Sequence, residues 1–200
     1  MKLVVIGNGP AAIKAIEAIS ANCNAEKSEK LEITVISTER VKPYAPMFLL
    51  DYVLGKRQKR ELDLAISADH LPVNKILGKR AIGVETHKNK VLLDDGEEVE
   101  YDKLLIASGA SPVKPDIKGI EKKGVYFLNR LADAQKLSRC IKSVDKVLVI
   151  GGGTIGTEAA VAFREAGKKV TIVELLEHVL LPVFDKDIVE VTPLFDQAVQ

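Results

Sequence analysis

Two glycine-rich motifs occur in this 200-residue chain, and both have the same sequence context. The first, GNGPAA, occupies residues 7–12, and the second, GGGTIG, occupies residues 151–156. Each follows a run of aliphatic residues typical of a buried strand, and each opens a stretch with helical spacing of apolar residues. A strand, a tight glycine turn and a helix N-terminus together bind a dinucleotide pyrophosphate. The sequence therefore predicts two dinucleotide sites, and two dinucleotides held in one protein usually exchange a hydride.

Three positions of each motif have separate physical requirements. At the first glycine the chain leaves the strand through a turn that a Cβ atom would crowd. The second glycine lets the backbone approach a pyrophosphate. The third position must be small so that the helix packs closely on its strand. These positions are Gly7, Gly9 and Ala12 in the first motif and Gly151, Gly153 and Gly156 in the second. The helix N-terminus adds N–H groups and partial positive charge that attract phosphate.

An acidic residue near the end of the second strand of each unit would bind the adenosine ribose. In the first unit Glu39 is the nearest carboxylate, but it comes two residues later than the tightest form of the pattern. Either Glu39 binds the ribose, with Ser37 or Thr38 sharing the role, or it is an exposed loop acid. In the second unit Glu174 follows the motif by about 18 residues, where a ribose-binding carboxylate belongs. A carboxylate there repels a 2′-phosphate and favours NADH over NADPH.

Composition excludes several other functions. The formal net charge of +1 gives no electrostatic case for binding nucleic acid or an anionic membrane. No apolar stretch is long enough to span a bilayer and no signal peptide precedes the first strand, so we expect a cytoplasmic protein. Cys23 and Cys140 are far apart and form no CxxC motif, and the histidines are dispersed. We therefore expect neither a disulfide redox centre nor a metal site.

The strand and helix patterns predict an α/β protein with two Rossmann-like, three-layer units. The first βαβ unit covers residues 2–36, with a polar loop over residues 24–30. Residues 75–105 are typical of short strands, and the second βαβ unit begins at Lys146. Small residues after the strand near residue 106 would line the crevice where parallel sheets bind ligands.

The order of these motifs resembles a known family. After GNGPAA come YDKLLIASGASP at residues 101–112, the second motif extended to GGGTIGTE, and VTIVE at residues 170–174. Over nearly the whole chain this set resembles the FAD-dependent pyridine nucleotide-disulfide oxidoreductase superfamily, nearest to NADH-dependent reductases of rubredoxin, ferredoxin and nitrite reductase type. The resemblance implies FAD at the first motif and NADH at the second. With a boundary at the proline-containing segment 112–115, residues 1–114 would form the FAD-binding domain and residues 115–200 the NADH-binding domain.

The resemblance also implies contacts for individual residues. Those at FAD would be Gly7, Gly9, Pro10, Ala11, Pro46, Ala81, Ala107, Ser108 and Gly109, joined at the ribose by Ser37, Thr38 or Glu39. Those at NADH would be Gly151, Gly153, Thr154, Ile155, Gly156, Glu158 and Glu174. Pro46 would lie closest to the isoalloxazine, and Ala81 would meet the adenine through its backbone. Glu158 would lie near the nicotinamide, or would only complement the helix dipole. No catalytic acid or base is implied, because hydride transfer needs proximity and stacking of two rings.

The chain departs from the family in two respects. Met47 and its neighbours stand where some members carry a reactive cysteine, so we expect electron transfer to a protein or small acceptor rather than disulfide reduction. Members are also considerably longer, and both nucleotide-binding units are incomplete relative to them. A fragment, a naturally short chain and one subunit completed by another polypeptide all fit this pattern.

Three functions are compatible with these patterns. The first is an NADH:acceptor flavoprotein reductase, in which hydride passes from NADH to flavin. The second is a non-catalytic nucleotide-binding remnant or subunit that needs a partner chain to complete its FAD site. An unfinished sheet edge would also favour homo-oligomers. The third, a single-nucleotide dehydrogenase with two Rossmann repeats, is disfavoured because the sequence has no constellation for proton chemistry.

Overall fold

The computed structural model describes residues 1–22, 31–64, 73–181, 183–185 and 187. The chain divides into two compact units. The first unit comprises Met1–Ala45 and Arg60–Lys114, and the second comprises Pro46–Lys59 and Pro115–Gln200. The predicted loop at residues 24–30 and the thiol of Cys23 lie outside the described residues.

The first unit contains a parallel four-stranded sheet made of β1 (Lys2–Ile6), β2 (Glu32–Ser37), β3 (Val73–Leu77) and β7 (Lys103–Ile106). The order of the strands in the sheet is β3-β2-β1-β7. Helix α1 (Pro10–Asn22) connects β1 to β2 and completes the predicted βαβ unit. The parallel arrangement brings the carboxyl ends of all four strands to one edge of the sheet.

An antiparallel sheet covers the face of the parallel sheet that lies opposite α1. It consists of β4 (Ala81–Glu85), β5 (Lys90–Leu93) and β6 (Glu98–Glu100), in that order. The turn between β5 and β6 places Gly96 at φ +89°, a backbone conformation that glycine adopts readily.

Alternating side chains of β1, one of the two inner strands of the sheet, explain the three layers of the first unit. Val5 belongs to a buried cluster with Ala12 and Ile16 of α1. Val4 points to the opposite face and joins a buried cluster with Val91 of β5. Because both faces of a parallel sheet must be covered, its strands are apolar at consecutive positions. The predicted three-layer α/β architecture is confirmed.

The second unit is built around a two-stranded parallel sheet. Helix α4 (Thr154–Glu165) connects β8 (Lys146–Ile150) to β9 (Lys169–Val173) and packs on one face through Ala159, Ala160 and Phe163, which are buried. This unit also contains α2 (Leu49–Val53), which packs against α3 (Leu131–Cys140).

The opposite face of the two-stranded sheet is exposed, and the part of it nearest the carboxyl ends of the strands is mainly apolar. Leu148 is 60% exposed, Ile150 51% and Val173 51%, although these side chains alternate with half-buried ones along the same strands. Parallel sheets in globular proteins are normally covered on both faces. The second unit therefore holds a smaller part of a doubly wound sheet than the first. Among the helices described, we find none with the length and apolar character to cross a bilayer.

Candidate dinucleotide-binding sites

The first glycine turn lies between β1 and α1, beside the end of β7. Gly7 has φ +119°, and its N–H donates to the carbonyl of Ile36 at 2.8 Å. A Cβ atom at Gly7 would overlap the carbonyl oxygen of Ala107, which follows β7. Both the backbone conformation and the close approach therefore require glycine here, as the sequence predicts.

The second glycine of this turn faces open space. A Cβ atom at Gly9 would have nothing within 4 Å. Helix α1 begins at the next residue, and its first hydrogen bond runs from Ile13 N–H to the carbonyl of Gly9 at 3.1 Å. Pro10 and Ala11 are exposed in the first turn, whereas Ala12 is fully buried against the sheet. An open cradle at a helix N-terminus fits a pyrophosphate group.

The second motif reproduces this geometry between β8 and α4. Gly151 has φ +101°, and its N–H donates to the carbonyl of Val173 at 2.8 Å, as Gly7 does to Ile36. Gly153 is the N-cap of α4, and a Cβ atom there would again have nothing within 4 Å. The chain thus contains two glycine cradles of the same design.

Close packing of α4 on its strand depends on Gly156. A Cβ atom at this position would overlap the carbonyl oxygen of Gly151 and lie 3.4 Å from Val149 Cγ1. The other predicted contact residues of this turn, Thr154, Ile155 and Glu158, are exposed in the first turns of α4. Their contacts to NADH stay predictions.

A network of polar contacts fixes the segment after β2. The hydroxyl of Tyr44 donates to the Glu39 carboxylate at 3.1 Å, and Glu39 N–H donates to Ser37 Oγ at 3.2 Å. Asn8 Nδ2, inside the first glycine turn, donates to the carbonyl of Val41 at 3.2 Å. The glycine turn and the predicted ribose-binding segment are thereby tied together in one unit. Sequence reasoning identified Glu39 and Ser37 but missed the hydrogen bonds that Asn8 and Tyr44 make.

Glu174 lies where β9 ends and binds the second glycine turn directly. Its Oε2 accepts a short hydrogen bond from Gly152 N–H, and its Oε1 accepts from the N–H groups of Leu175 at 2.7 Å and Leu176 at 2.9 Å. The hydrogen bonds from Leu176 and Gly152, with a smaller effect of Leu175, lower the pKa of Glu174 against the opposing effect of desolvation. The carboxylate is therefore anionic at neutral pH.

The remaining residues that are predicted to contact FAD lie in three separate segments of the chain. Ser108 and Gly109 are exposed after the end of β7, next to Ala107 and the first glycine turn. Ala81 is half-buried at the start of β4. Pro46 begins a short 3-10 turn in the second unit, and its approach to the isoalloxazine stays a prediction.

The described residues also include one thiol, that of Cys140. Cys140 is half-buried at the end of α3, where its Sγ donates to the carbonyl of Leu137 at 3.2 Å. Within the described parts of the chain, His, Cys, Asp and Glu form no group of three that could hold a metal ion.

Comparison with known proteins identifies the family. The model for pyridine nucleotide-disulphide oxidoreductases matches residues 1–192. The chain belongs to this family. Membership confirms the family that the order of the motifs predicted. It also confirms FAD and NADH as the cofactors, which these NAD(P)H-dependent oxidoreductases use. The two cradles fit these groups, because each leaves open space at a helix N-terminus beside a small-residue turn.

Two relatives and one solved structure illustrate the match. The NADH-dependent phenylglyoxylate dehydrogenase subunit epsilon of Aromatoleum evansii is 36% identical over 92% of this chain and 43% of the relative. The rubredoxin-NAD(+) reductase of Pseudomonas putida is 29% identical over 90% of this chain and 46% of the relative. The water-forming NADH oxidase of Lactobacillus brevis, solved with NADH bound, has a TM-score of 0.84 at 28% identity and covers 100% of this chain and 46% of that one. The chain thus spans less than half of each of these proteins.

Proposed function

We propose that this chain carries the FAD and NADH sites of an NADH:acceptor oxidoreductase. The observation that carries the proposal is the duplicated cradle, with an open glycine at a helix N-terminus in each unit. The first cradle would hold the FAD pyrophosphate and the second that of NADH. When bound, FAD would supply the hydride acceptor and pass the electrons onward. The residues of the chain bind and orient the two cofactors, so no side chain is needed as an acid or base.

The acceptor that we propose is a small redox protein or a small molecule. The Pseudomonas putida relative is named for rubredoxin, and the Aromatoleum evansii relative is named as a subunit of a dehydrogenase. We propose electron transfer to such an acceptor rather than disulfide reduction, because the described thiol, Cys140, lies on α3, and Met47 and its neighbours stand where some family members carry a reactive cysteine.

NADH is the proposed reductant. Glu174 places a negative charge beside the second glycine turn, at the position expected for the adenosine ribose. A 2′-phosphate at this position would meet the carboxylate and be repelled. The lowered pKa of Glu174 means that this repulsion persists at neutral pH.

The first test is the visible absorption spectrum of the purified chain, followed by anaerobic addition of NADH. Flavin bands that bleach with NADH would establish FAD binding and hydride transfer. A colourless protein that stays colourless after FAD is added would refute the oxidoreductase proposal for this chain alone.

A matched pair of variants separates the two sites. Gly9→Val and Gly153→Val each place a side chain in a cradle, at positions where a Cβ atom has nothing within 4 Å. We expect Gly9→Val to abolish the flavin bands. We expect Gly153→Val to retain the bands but lose their bleaching by NADH. Equal behaviour of the two variants would contradict the assignment of one cofactor to each cradle.

The exposed face of the β8–β9 sheet favours a second candidate function. Leu148, Ile150 and Val173 form an apolar surface on a parallel sheet that normally requires cover. In this alternative the chain is a non-catalytic nucleotide-binding subunit that needs a partner chain to complete its FAD site. Sedimentation of the chain, with and without FAD, would separate the alternatives: a colourless monomer supports the subunit, and a yellow species that NADH bleaches supports the enzyme.

A further inference from the structure

Asn8 is followed directly by Gly9, and this is the only Asn-Gly pair in the sequence. The backbone nitrogen of the residue after an asparagine can attack the side-chain Cγ, and asparagine is for this reason among the thermolabile residues. A glycine in the second position has no side chain to hinder the attack. Because every other asparagine precedes a residue with a side chain, Asn8 meets the least local hindrance.

The structure leaves the backbone nitrogen of Gly9 accessible. A Cβ atom at Gly9 would have nothing within 4 Å, and the Gly9 N–H has no hydrogen-bond acceptor among the described residues. The nitrogen precedes helix α1, which begins at Pro10. It can therefore react without the loss of a hydrogen bond to the described part of the chain.

The side chain of Asn8 makes a hydrogen bond that the reaction would remove. Its Nδ2 donates to the carbonyl oxygen of Val41 at 3.2 Å and joins the first glycine turn to the segment after β2. A carboxylate at position 8 has no proton to donate, and it would place negative charge beside the Val41 carbonyl oxygen. The product therefore repels the group that the Asn8 amide binds.

We propose that Asn8 is a site of spontaneous deamidation, and that the carboxylate produced in the first glycine turn closes the first cradle to a pyrophosphate group. The cradle attracts phosphate through open N–H groups and the positive end of the α1 dipole. A carboxylate at position 8, two residues before the helix begins, would offset this attraction and repel the phosphate.

The reaction requires water as its only co-reactant. The Gly9 nitrogen gives up its proton to solvent base and attacks Cγ of Asn8, so that an N–Cγ bond forms. The Cγ–Nδ2 bond breaks, and the departing nitrogen takes up a proton from solvent and leaves as ammonia. Water then opens the cyclic imide at either carbonyl, which gives aspartate or isoaspartate. Nothing is oxidised or reduced in these steps.

The consequence for cofactor binding rests on the proposed function. Gly9 is one of the residues that would hold the pyrophosphate of FAD. A bound phosphate group shields the Gly9 nitrogen from solvent base, so FAD should slow the reaction. Protein that lacks FAD would then lose its first cradle with time, whereas protein loaded with FAD would keep it.

Asn89 is the internal control for the first measurement. It lies in an exposed turn, but the residue after it is Lys90. The purified chain is incubated without FAD in mildly alkaline buffer, and mass spectrometry follows conversion to aspartate and isoaspartate in peptides that contain each asparagine. We expect Asn8 to convert at least about tenfold faster than Asn89. Conversion of Asn8 that is no faster than that of Asn89 would overturn the proposal.

Gly9→Ala tests the route through the Gly9 nitrogen. The Cβ of alanine would meet open space in the fold, yet it stands next to the attacking nitrogen. We expect Asn8 to convert at least about tenfold more slowly in this variant than in the wild type. Equal rates in the two proteins would contradict the route. The comparison of Asn8 with Asn89 uses the wild type alone, so it decides the proposal even if the variant does not fold.

Asn8→Asp and Asn8→Ala separate the charge of the product from the loss of its hydrogen bond. Both variants remove the donor to the Val41 carbonyl, but only Asn8→Asp adds a carboxylate. We expect FAD affinity, measured by equilibrium dialysis, to fall at least about tenfold further in Asn8→Asp than in Asn8→Ala. Equal affinities of the two variants would refute closure of the cradle by charge.

Incubation with FAD distinguishes this inference from the proposed function. Slower conversion of Asn8 in the presence of FAD, with no change at Asn89, supports both. FAD binding without faster conversion of Asn8 than of Asn89 refutes the modification site and leaves the proposed function intact. Rapid conversion of Asn8 in a chain that never binds FAD supports the modification site and counts against the proposed function.

Discussion

Gly7 and Ala107 approach so closely that the carbonyl oxygen of Ala107 takes the space of the missing Cβ of Gly7. The contact joins the turn after β1 to the residue after β7, two segments 100 positions apart in the sequence. It keeps the carboxyl ends of these neighbouring strands in the arrangement that the first cradle requires. The glycine is therefore structural as well as part of a nucleotide motif.

Gly7→Ala tests this close approach. Alanine would have to adopt φ +119° and displace the Ala107 carbonyl, so we expect a loss of about 2–4 kcal/mol in the free energy of unfolding. Gly9→Ala is the control, because its Cβ would meet open space, and we expect a change below about 1 kcal/mol. Urea denaturation followed by circular dichroism measures both. Equal midpoints for the two variants would show that the strand-end contact is not tight.

Gly156→Ala sets helix propensity against packing in the second unit. Alanine in a helix interior is favoured over glycine by about 1 kcal/mol. Its Cβ would, however, overlap the Gly151 carbonyl oxygen and force α4 away from β8, and such overpacking typically costs about 1–3 kcal/mol. We therefore expect net destabilisation, seen as faster hydrogen exchange of the α4 amides. Gly153→Ala, with open space at its Cβ, should leave exchange nearly unchanged, and slower exchange in Gly156→Ala would mean that propensity dominates.

The local elements of both βαβ units were predictable from the sequence. The residues around Gly7 and Gly151 specify a strand, a positive-φ turn and a helix within a short window, and all of that information is local. The pairing of β3 with β2 was not predicted, because strand partners are chosen by packing over long sequence separations. The sequence also did not predict that Pro46–Lys59 belongs to the second compact unit, because packing between segments far apart in the sequence leaves no local pattern.

The sequence predicted the two glycine turns and the place of Glu174 after β9, but not the hydrogen-bond partners of these residues, and the cofactor contacts stay predictions. Glu174 was identified from its spacing, yet nothing in that spacing shows that its carboxylate is held by Gly152. Asn8 was missed because the middle position of a glycine turn accepts many residue types, and its bond to the Val41 carbonyl depends on how two loops meet. Such contacts follow from side-chain geometry, which a one-dimensional pattern does not contain.

Tyr44 and Glu39 should be energetically coupled. Tyr44 is buried, and its hydroxyl donates to the Glu39 carboxylate at 3.1 and 3.3 Å to the two oxygens. In a double-mutant cycle with Tyr44→Phe and Glu39→Gln, we expect a coupling of about 0.5–2 kcal/mol in the free energy of unfolding. Additive effects of the two changes would indicate that the bond contributes nothing to holding the segment after β2.

The lowered pKa of Glu174 makes the stability of the second unit depend on pH. Because the folded-state pKa lies below the ordinary value of 4.5, the hydrogen bonds to the carboxylate stabilise the folded state fully above that value. This contribution is lost as the pH falls through the folded-state pKa, where Glu174 binds a proton. Glu174→Gln should remove it, so the difference in unfolding temperature between wild type and variant should be largest near neutral pH and shrink in acid.

Glu98→Gln provides the comparison for that measurement. The pKa of Glu98 is also lowered, by the hydrogen bond and charge of Lys90, but this pair lies on the antiparallel sheet of the first unit. Removing the Glu98 carboxylate should also change stability mainly above pH 4.5. This change should affect the first unit, whereas that of Glu174→Gln should affect the second. Hydrogen exchange at β9 and at β5 reads the two units separately. A protonated carboxyl cannot accept hydrogen bonds from Gly152, Leu175 and Leu176 as the anion does. If Glu174→Gln lowers the hydrogen-exchange protection of β9 equally at pH 7 and in acid, the assignment of the pH dependence to Glu174 is contradicted.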